Sequence, residues 1–298
     1  MEACQLNSLH TKFLTGLRGY SALAVFLVHS GGAGIKELGK YGERFVTFGK
    51  YGVVSFFVLS ALTLSISISR SQNFSYSHYI THRLSRIVPV YFLLIIFFWL
   101  IGGQAYYLNL FNVNPRDFWD LVNHLSFFNV FDPKYKSTAI GVEWTVPIEM
   151  WTYLFIPFLY FSIANKHPVW RWGVFLLALI ISLKNGRWYE TGLERHWAID
   201  SYLYCFIGGI IAYSYLGKLK LTLNNADLLV AIFIAIILLL SIMKIKYHEQ
   251  YITLIIIGLI LSLSKAGSTR LIFENRLITF IGNISFPFIC FTSLLFKS

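Results

Sequence analysis

Charged residues are scarce in this sequence. Asp, Glu, Lys and Arg make up 13% of its 298 residues, whereas 56% are hydrophobic and the mean hydropathy is +0.61. Soluble globular domains carry about 25% charged residues, so the composition excludes an ordinary soluble protein. The apolar residues fall in long runs, as membrane-spanning segments do. We predict an all-α fold, a polytopic transmembrane helix bundle, built as one integral-membrane domain over residues 1–298.

Cysteine is scarcer still, with three residues, and the spacing of these three excludes two kinds of site. Cys4, Cys205 and Cys290 show neither the paired spacing of a disulfide framework nor that of zinc ligands. We also expect no cleavable signal sequence, because Arg18 interrupts the first apolar segment and no small-residue cleavage site follows it.

Nine apolar runs predict the helices of the bundle. They lie near residues 13–30, 51–69, 87–105, 140–164, 169–183, 197–216, 228–243, 251–264 and 277–296. The long connection over about 106–139 contains an amphipathic stretch, DFWDLVNHLSFFNVF, which we expect to lie along the membrane surface. With the spans alternating, Lys and Arg divide almost evenly between the two sides, so the positive-inside rule does not set the orientation.

The first apolar run carries an ionisable residue near each end, Arg18 and His29. About three helical turns separate them, so both side chains lie on nearly the same face, roughly 16 Å apart along the axis. Ionisable groups on a membrane helix indicate a functional site, because burying them in lipid is costly. The alternative is that Arg18 extends to one headgroup layer while His29 caps the helix near the other.

A second basic group stands just before the third run, in HYITHRLSRIVPVYF. On a helix Arg83 and Arg86 form one stripe, and the alternation of spans puts Arg18 on the same side of the membrane. This stripe contacts lipid headgroups or binds a ligand; the net charge of +11 suits anionic headgroups or a phosphate-bearing ligand. His78 and His82 have the i, i+4 spacing of metal ligands, but no third ligand stands nearby, so we expect no metal.

The fourth run contains a carboxylate, Glu149, about nine residues inside its start, and Glu143 near its mouth. A carboxylate at the depth of Glu149 must be protonated, paired or turned toward a polar cavity. Glu149 therefore belongs to a functional site or forms a structural pair with an arginine of a neighbouring helix.

Four segments together resemble the integral-membrane acyltransferase-3 family of bacterial O-acyltransferases. LTGLRGYSALAVFLVH resembles the opening motif, a basic residue and, after ten residues, a histidine. YGVVSFFVLSALTLS resembles the second-span motif, with Ala61 where glycine is usual. HRLSRIVPVYF resembles the Arg-x-x-Arg segment, and VEWTVPIEMWTYLFIPFLY resembles the Trp-Ser-Leu-x-x-Glu segment. The four occur in this order over most of the chain.

The resemblance implies a membrane O-acyltransferase, more narrowly an O-acetyltransferase. Such an enzyme moves an acyl group from acetyl-CoA or another acyl-CoA on the cytoplasmic side to a hydroxyl of a cell-envelope carbohydrate, such as O-antigen, capsule, exopolysaccharide or a lipid-linked glycan. It implies a multi-pass protein of the bacterial inner membrane, surrounded by lipids, with no metal and no nucleic-acid partner. The family's residues fall on Arg18, Arg83 and Arg86 for binding the donor and on His29 and Glu149 for catalysis.

These residues suggest a mechanism. Guanidinium groups bind phosphate in a bidentate manner, so the arginines would hold the CoA phosphates. A poorly hydrated site favours neutral imidazole, so His29 would take the proton of the acceptor hydroxyl. Glu149 would orient His29 or pair with a basic residue. No convincing nucleophile is present, which favours direct transfer over a covalent acyl-enzyme.

Two positions depart from the family pattern. The late segment FIGNISFPFICFT has Thr292 where the family commonly has a histidine, and the chain ends at Ser298, where such proteins usually continue through another helix. We therefore expect the family's last helix to be missing. The rival functions are a transporter or flippase for a lipid-linked glycan, whose path the same residues would line, and an inactive, shortened homologue.

Overall fold

The computed structural model describes residues 11–30, 34–103, 108–109, 112–135, 137–188, 198–243, 248–285 and 288. Over these ranges the chain is helical and contains no strand, which confirms the all-α fold. In chain order the α-helices are α1 (Lys12–His29), α2 (Lys40–Phe48), α3 (Gly52–Arg70), α4 (Tyr76–Leu100), α5 (Phe118–Leu125), α6 (Thr145–Ile163), α7 (Pro168–Trp188), α8 (Ile199–Tyr215), α9 (Leu223–Ile242), α10 (His248–Leu263), α11 (Ser268–Phe273) and α12 (Arg276–Asn283).

Several of these helices suit a bilayer. The stretches long and apolar enough to cross one are Lys40–Arg70, Tyr76–Leu100, Thr145–Ile163 and Leu223–Ser241, and Gln250–Leu263 is a shorter apolar helix. They support a helical membrane bundle. A helix also occupies at least part of each of the nine predicted runs. The crossing of the membrane by all nine remains a prediction.

The third predicted helix begins well before its expected start at residue 87. α4 starts at Tyr76, because the side chain of Ser75 accepts a 3.4 Å hydrogen bond from the backbone N–H of His78 and so caps the helix. The helix then continues through Pro89. Hydrophobicity alone placed the start too late, and the basic stripe therefore lies on α4 itself.

The fourth predicted helix begins later than its expected start at residue 140. α6 starts at Thr145, and the residues before it form bends. Gly141 has φ of +97°, a left-handed conformation that a right-handed helix does not contain. Glu143 therefore stands in the loop before α6 rather than in the mouth of the helix.

The amphipathic stretch predicted for the membrane surface contains α5. Its apolar residues Phe118 and Trp119 are exposed, as an interfacial helix requires. Its opposite face, however, buries Asp120 and His124, whose relative exposures are 4% and 0%. A second element must therefore supply polar partners to this face.

The centre of the bundle is α8, which packs against α3, α6, α7 and α10. A Cβ added at Gly209 would collide with the carbonyl oxygen of Val58 and with the Cβ of Ala61 on α3, so α8 and α3 pack closely at this glycine. On the other side of α3, α1 packs against both α3 and α12. These contacts hold α1 and α6, two of the three helices that carry the predicted site residues.

Candidate functional site

A cavity of about 580 Å³ lies among α1, α3, α4, α6 and the loop that precedes α6. The five site residues predicted from the sequence all line it; they are Arg18, His29, Arg83, Arg86 and Glu149. The volume is in the range of small-molecule sites. The structure thus brings together side chains from three helices that are far apart in sequence.

The cavity has a basic region formed by Arg18 of α1 and by Arg83 and Arg86 of α4. The three charges lie close enough to act on one another. Within the described ranges none of these guanidinium groups makes a hydrogen bond or a contact ion pair, and the Nε atom of Arg83 is buried without a partner. Three neighbouring cations repel one another, so the region suits a ligand with several negative charges, such as a set of phosphates.

Glu149 is held by hydroxyl groups. Its Oε1 accepts a 3.0 Å hydrogen bond from Ser60 of α3, and its Oε2 accepts a 2.8 Å hydrogen bond from Tyr153. Arg18 and Arg86 are near enough for their charges to act on the carboxylate. In the described part of the chain Glu149 nevertheless makes neither a contact ion pair with an arginine nor a hydrogen bond to His29.

Sequence reasoning missed Ser60 and Tyr153, which also line the cavity. The signal for Tyr153 was its position four residues after Glu149, on the same face of a helix. Ser60 stands in the second-span segment that resembles the family motif, but its depth relative to Glu149 depends on how α3 packs against α6.

His29, the last residue of α1, lies at the other end of the cavity from Arg18. By helix geometry the two residues stand roughly 16 Å apart along α1. Apolar side chains line the space between, among them Val25, Val54 and Phe57. The cavity therefore joins the basic region at the arginines to an apolar stretch, with the imidazole of His29 beyond it.

Further residues line the cavity beside those predicted. Lys50 and Tyr51 come from the turn before α3, where Gly49 packs against Ala24 and Val28 of α1. Gly141, Val142 and Trp144 come from the loop before α6. Tyr51, Val142 and Trp144 stand in segments that resemble family motifs, but neither group was predicted for the site, because each reaches the cavity only through the packing of α1, α3 and α6.

A buried polar network outside the cavity holds the loop that precedes α6. Nδ1 of the His124 imidazole lies 2.8 Å from the backbone oxygen of Asp120. Nε2 of the same ring lies 3.3 Å from Oε1 of Glu143. Burial lowers the pKa of His124, but its hydrogen bonds with Asp120 and Glu143 outweigh this effect and raise the pKa to about 10. These contacts with two carboxylates favour the protonated imidazolium.

Comparison with known proteins identifies the family of this chain. The family model described as an acyltransferase domain matches residues 11–296 of the chain, a range that includes every residue lining the cavity. No curated protein and no solved structure shows a significant match. Because the family match spans almost the entire chain, the protein belongs to the acyltransferase-3 family.

Proposed function

We propose that this protein is a membrane O-acyltransferase that moves an acyl group, acetyl in the simplest case, from acyl-CoA to a hydroxyl of a cell-envelope carbohydrate. Membership of the family supports acyl transfer. The observation that carries the donor assignment is the cavity that joins three arginines, none of which makes a contact ion pair within the described ranges, to a histidine. The two ends of acyl-CoA differ in a matching way, because the negatively charged phosphates lie at one end and the thioester lies at the other.

Arg18, Arg83 and Arg86 would hold the CoA phosphates, because guanidinium groups bind phosphate through paired N–H donors. The pantetheine arm would extend along the apolar side chains Val25 and Val54. The thioester would then lie near His29. In this proposal the arginine end of the cavity would face the cytoplasmic side of a bacterial inner membrane, and His29 would face the acceptor.

The chemical step is a direct transfer. His29 accepts the proton of the acceptor hydroxyl while the hydroxyl oxygen attacks the thioester carbon. The new O–C bond forms, the C–S bond breaks, and the proton taken up by His29 passes to the departing sulfur, which leaves as the CoA thiol. Glu149, held by Ser60 and Tyr153, adds a negative charge near Arg18 and Arg86.

The test uses purified protein in lipid vesicles with acetyl-CoA and with surface polysaccharide from cells that lack the gene. We expect acceptor-dependent release of CoA thiol and a mass increase of one acetyl group on the polysaccharide. A flippase would move a lipid-linked glycan without releasing thiol, and an inactive homologue would do neither. Either result would overturn the proposal.

His29→Ala tests the assignment within the site. We expect the rate of acyl transfer to fall at least about 100-fold, the lower range of general-base contributions, while acetyl-CoA binding stays within twofold of the wild type. His167→Gln is the matched control, because His167 is exposed and does not line the cavity. A correctly inserted His29→Ala protein with wild-type activity would contradict the role of His29.

A further inference from the structure

A cluster of buried polar residues lies outside the cavity, between α5 and the loop before α6. Asp120, His124, Thr138 and Glu143 have relative exposures of 4%, 0%, 0% and 1%. The hydroxyl of Thr138 donates to Oδ1 of Asp120. Each ionisable member therefore has a partner, as buried charges require.

The carboxylate of Glu143 accepts hydrogen bonds from the backbone of its own loop. Its Oε1 accepts a 2.9 Å hydrogen bond from the N–H of Ala139, and its Oε2 accepts a 2.5 Å hydrogen bond from the N–H of Gly141. His124 then ties Oε1 of Glu143 to α5 at 3.3 Å. The loop is thus fixed at its start through Thr138 and at its end through Glu143.

The same loop forms part of the cavity wall. Gly141 and Val142 line the cavity, and Trp144 immediately precedes α6, the helix that carries Glu149. Gly141 keeps a left-handed backbone conformation, φ +97°, while its N–H is bound by Glu143. A shift of the loop would therefore change the shape of the cavity and the entry of α6.

Stability alone is a weak reason for such a cluster. Replacing a buried ion pair by well-packed apolar residues of the same size is often neutral or stabilising. A network of directed hydrogen bonds, in contrast, fixes a loop in one conformation, which apolar packing does less strictly. The hydrogen bonds of this cluster hold the loop that forms part of the cavity wall.

We propose that His124 is a positioning residue for the acceptor: by holding Glu143 and its loop, it fixes the part of the cavity wall against which the acceptor hydroxyl is presented to His29. The inference rests on the proposed function, because it assigns the end of the cavity away from the arginines to the acceptor. It adds residues that touch neither donor nor acceptor and act through Gly141 and Val142.

The kinetic test compares His124→Gln with the wild type. We expect the KM for the polysaccharide acceptor to rise at least tenfold, while kcat and the Kd for acetyl-CoA change by less than threefold. Glu143→Gln is expected to give the same pattern, and the double variant no more than the larger single effect, because the two residues act as one unit. His167→Gln is the control and should leave all three quantities unchanged.

A second measurement does not depend on activity. Ser137 begins the loop and is fully buried, so Ser137→Cys places a thiol where it is protected. We expect maleimide labelling of position 137, followed by mass spectrometry of its peptide, to accelerate at least tenfold when His124→Gln is added. If His124→Gln does not accumulate as folded protein, Glu143→Gln, which keeps the shape of the side chain, takes its place.

The outcomes separate this inference from the proposed function. Unchanged labelling of position 137 would overturn the role of His124 in holding the loop, whatever the activity. Faster labelling with an unchanged acceptor KM would overturn the assignment of the loop to the acceptor. Absence of acyl transfer in the wild-type protein would overturn the proposed function and with it the acceptor role, while the labelling result would still decide whether His124 holds the loop.

Discussion

The hydroxyl of Tyr153 donates a 2.8 Å hydrogen bond to Oε2 of Glu149, one turn earlier on α6. The hydroxyl of Ser60 donates to Oε1 of the same carboxylate at 3.0 Å. Glu149 is thus fixed by two neutral donors, and the nearby arginines are not taken up by a contact ion pair with it. This arrangement leaves their N–H groups available for an anionic donor substrate.

Tyr153→Phe should lower kcat/KM about tenfold or more. The change removes one of the two donors to a buried carboxylate, and hydrogen bonds to charged groups contribute about 1.5–3 kcal/mol. Tyr160→Phe is the matched control: Tyr160 lies two turns further along α6, contacts the hydroxyl of Tyr213 at 3.3 Å and does not line the cavity. Equal activity of the two variants would show that the hydroxyl of Tyr153 does not matter for the reaction.

The double variant Arg83→Ala/Arg86→Ala should bind acetyl-CoA at least about 30-fold more weakly, because charge-assisted hydrogen bonds to phosphate are lost. Its affinity for acetyl-pantetheine, which carries no phosphate, should stay within twofold of the wild type. Isothermal titration calorimetry in detergent measures both constants. Arg276→Ala is the control, since Arg276 begins α12 outside the cavity. A parallel loss for both ligands would argue against phosphate binding by α4.

Gly209→Ala should destabilise the bundle by about 1–3 kcal/mol, the usual cost of overpacking a core. The new Cβ would meet the carbonyl oxygen of Val58 and the Cβ of Ala61, and neither lies on a side chain that can rotate away. Gly173→Ala on α7 has open space at the new Cβ and should be neutral or stabilising by up to about 1 kcal/mol. Thermal unfolding in detergent distinguishes the two. Similar melting temperatures would contradict the tight contact of α8 with α3.

Local patterns in the sequence predicted much of this architecture. The apolar runs gave the helices, and the helical spacing of Arg18 and His29 gave their common face, because both follow from neighbouring residues. The predicted starts of α4 and α6 were wrong, because the observed starts depend on the cap at Ser75 and on the left-handed Gly141 rather than on hydrophobicity. A hydropathy pattern contains no information on either.

The sequence predicted only in part which side chains come together in the site. Alternation of the spans placed Arg83 and Arg86 on the side of Arg18, but their sharing of a cavity with His29 depends on the packing of four helices. His124 was missed for a different reason: the aromatic residues around it indicate a membrane-surface helix, and its charged partner Glu143 comes from another element. The i, i+4 spacing of Asp120 and His124 was the available signal.

Stability should fall as the pH rises through the alkaline range, because of His124. Its hydrogen bonds with Asp120 and Glu143, opposed by burial, raise its pKa to about 10, whereas an unfolded histidine has a pKa of about 6.5. The contribution of the imidazolium is complete below the unfolded value and is lost progressively as the pH approaches the folded one. Between about pH 7 and pH 9.5 this loss is of the order of 3 kcal/mol, at about 1.4 kcal/mol per pH unit.

Melting temperatures measured in detergent from about pH 7 to about pH 9.5 check this prediction. The wild-type protein should lose stability over this range more steeply than His124→Gln, which has no proton to release at this position. His167→Gln should keep the wild-type slope, since His167 is exposed and lies outside the cluster. Parallel curves for the wild type and His124→Gln would mean that the imidazole of His124 is not held in its protonated form by Asp120 and Glu143.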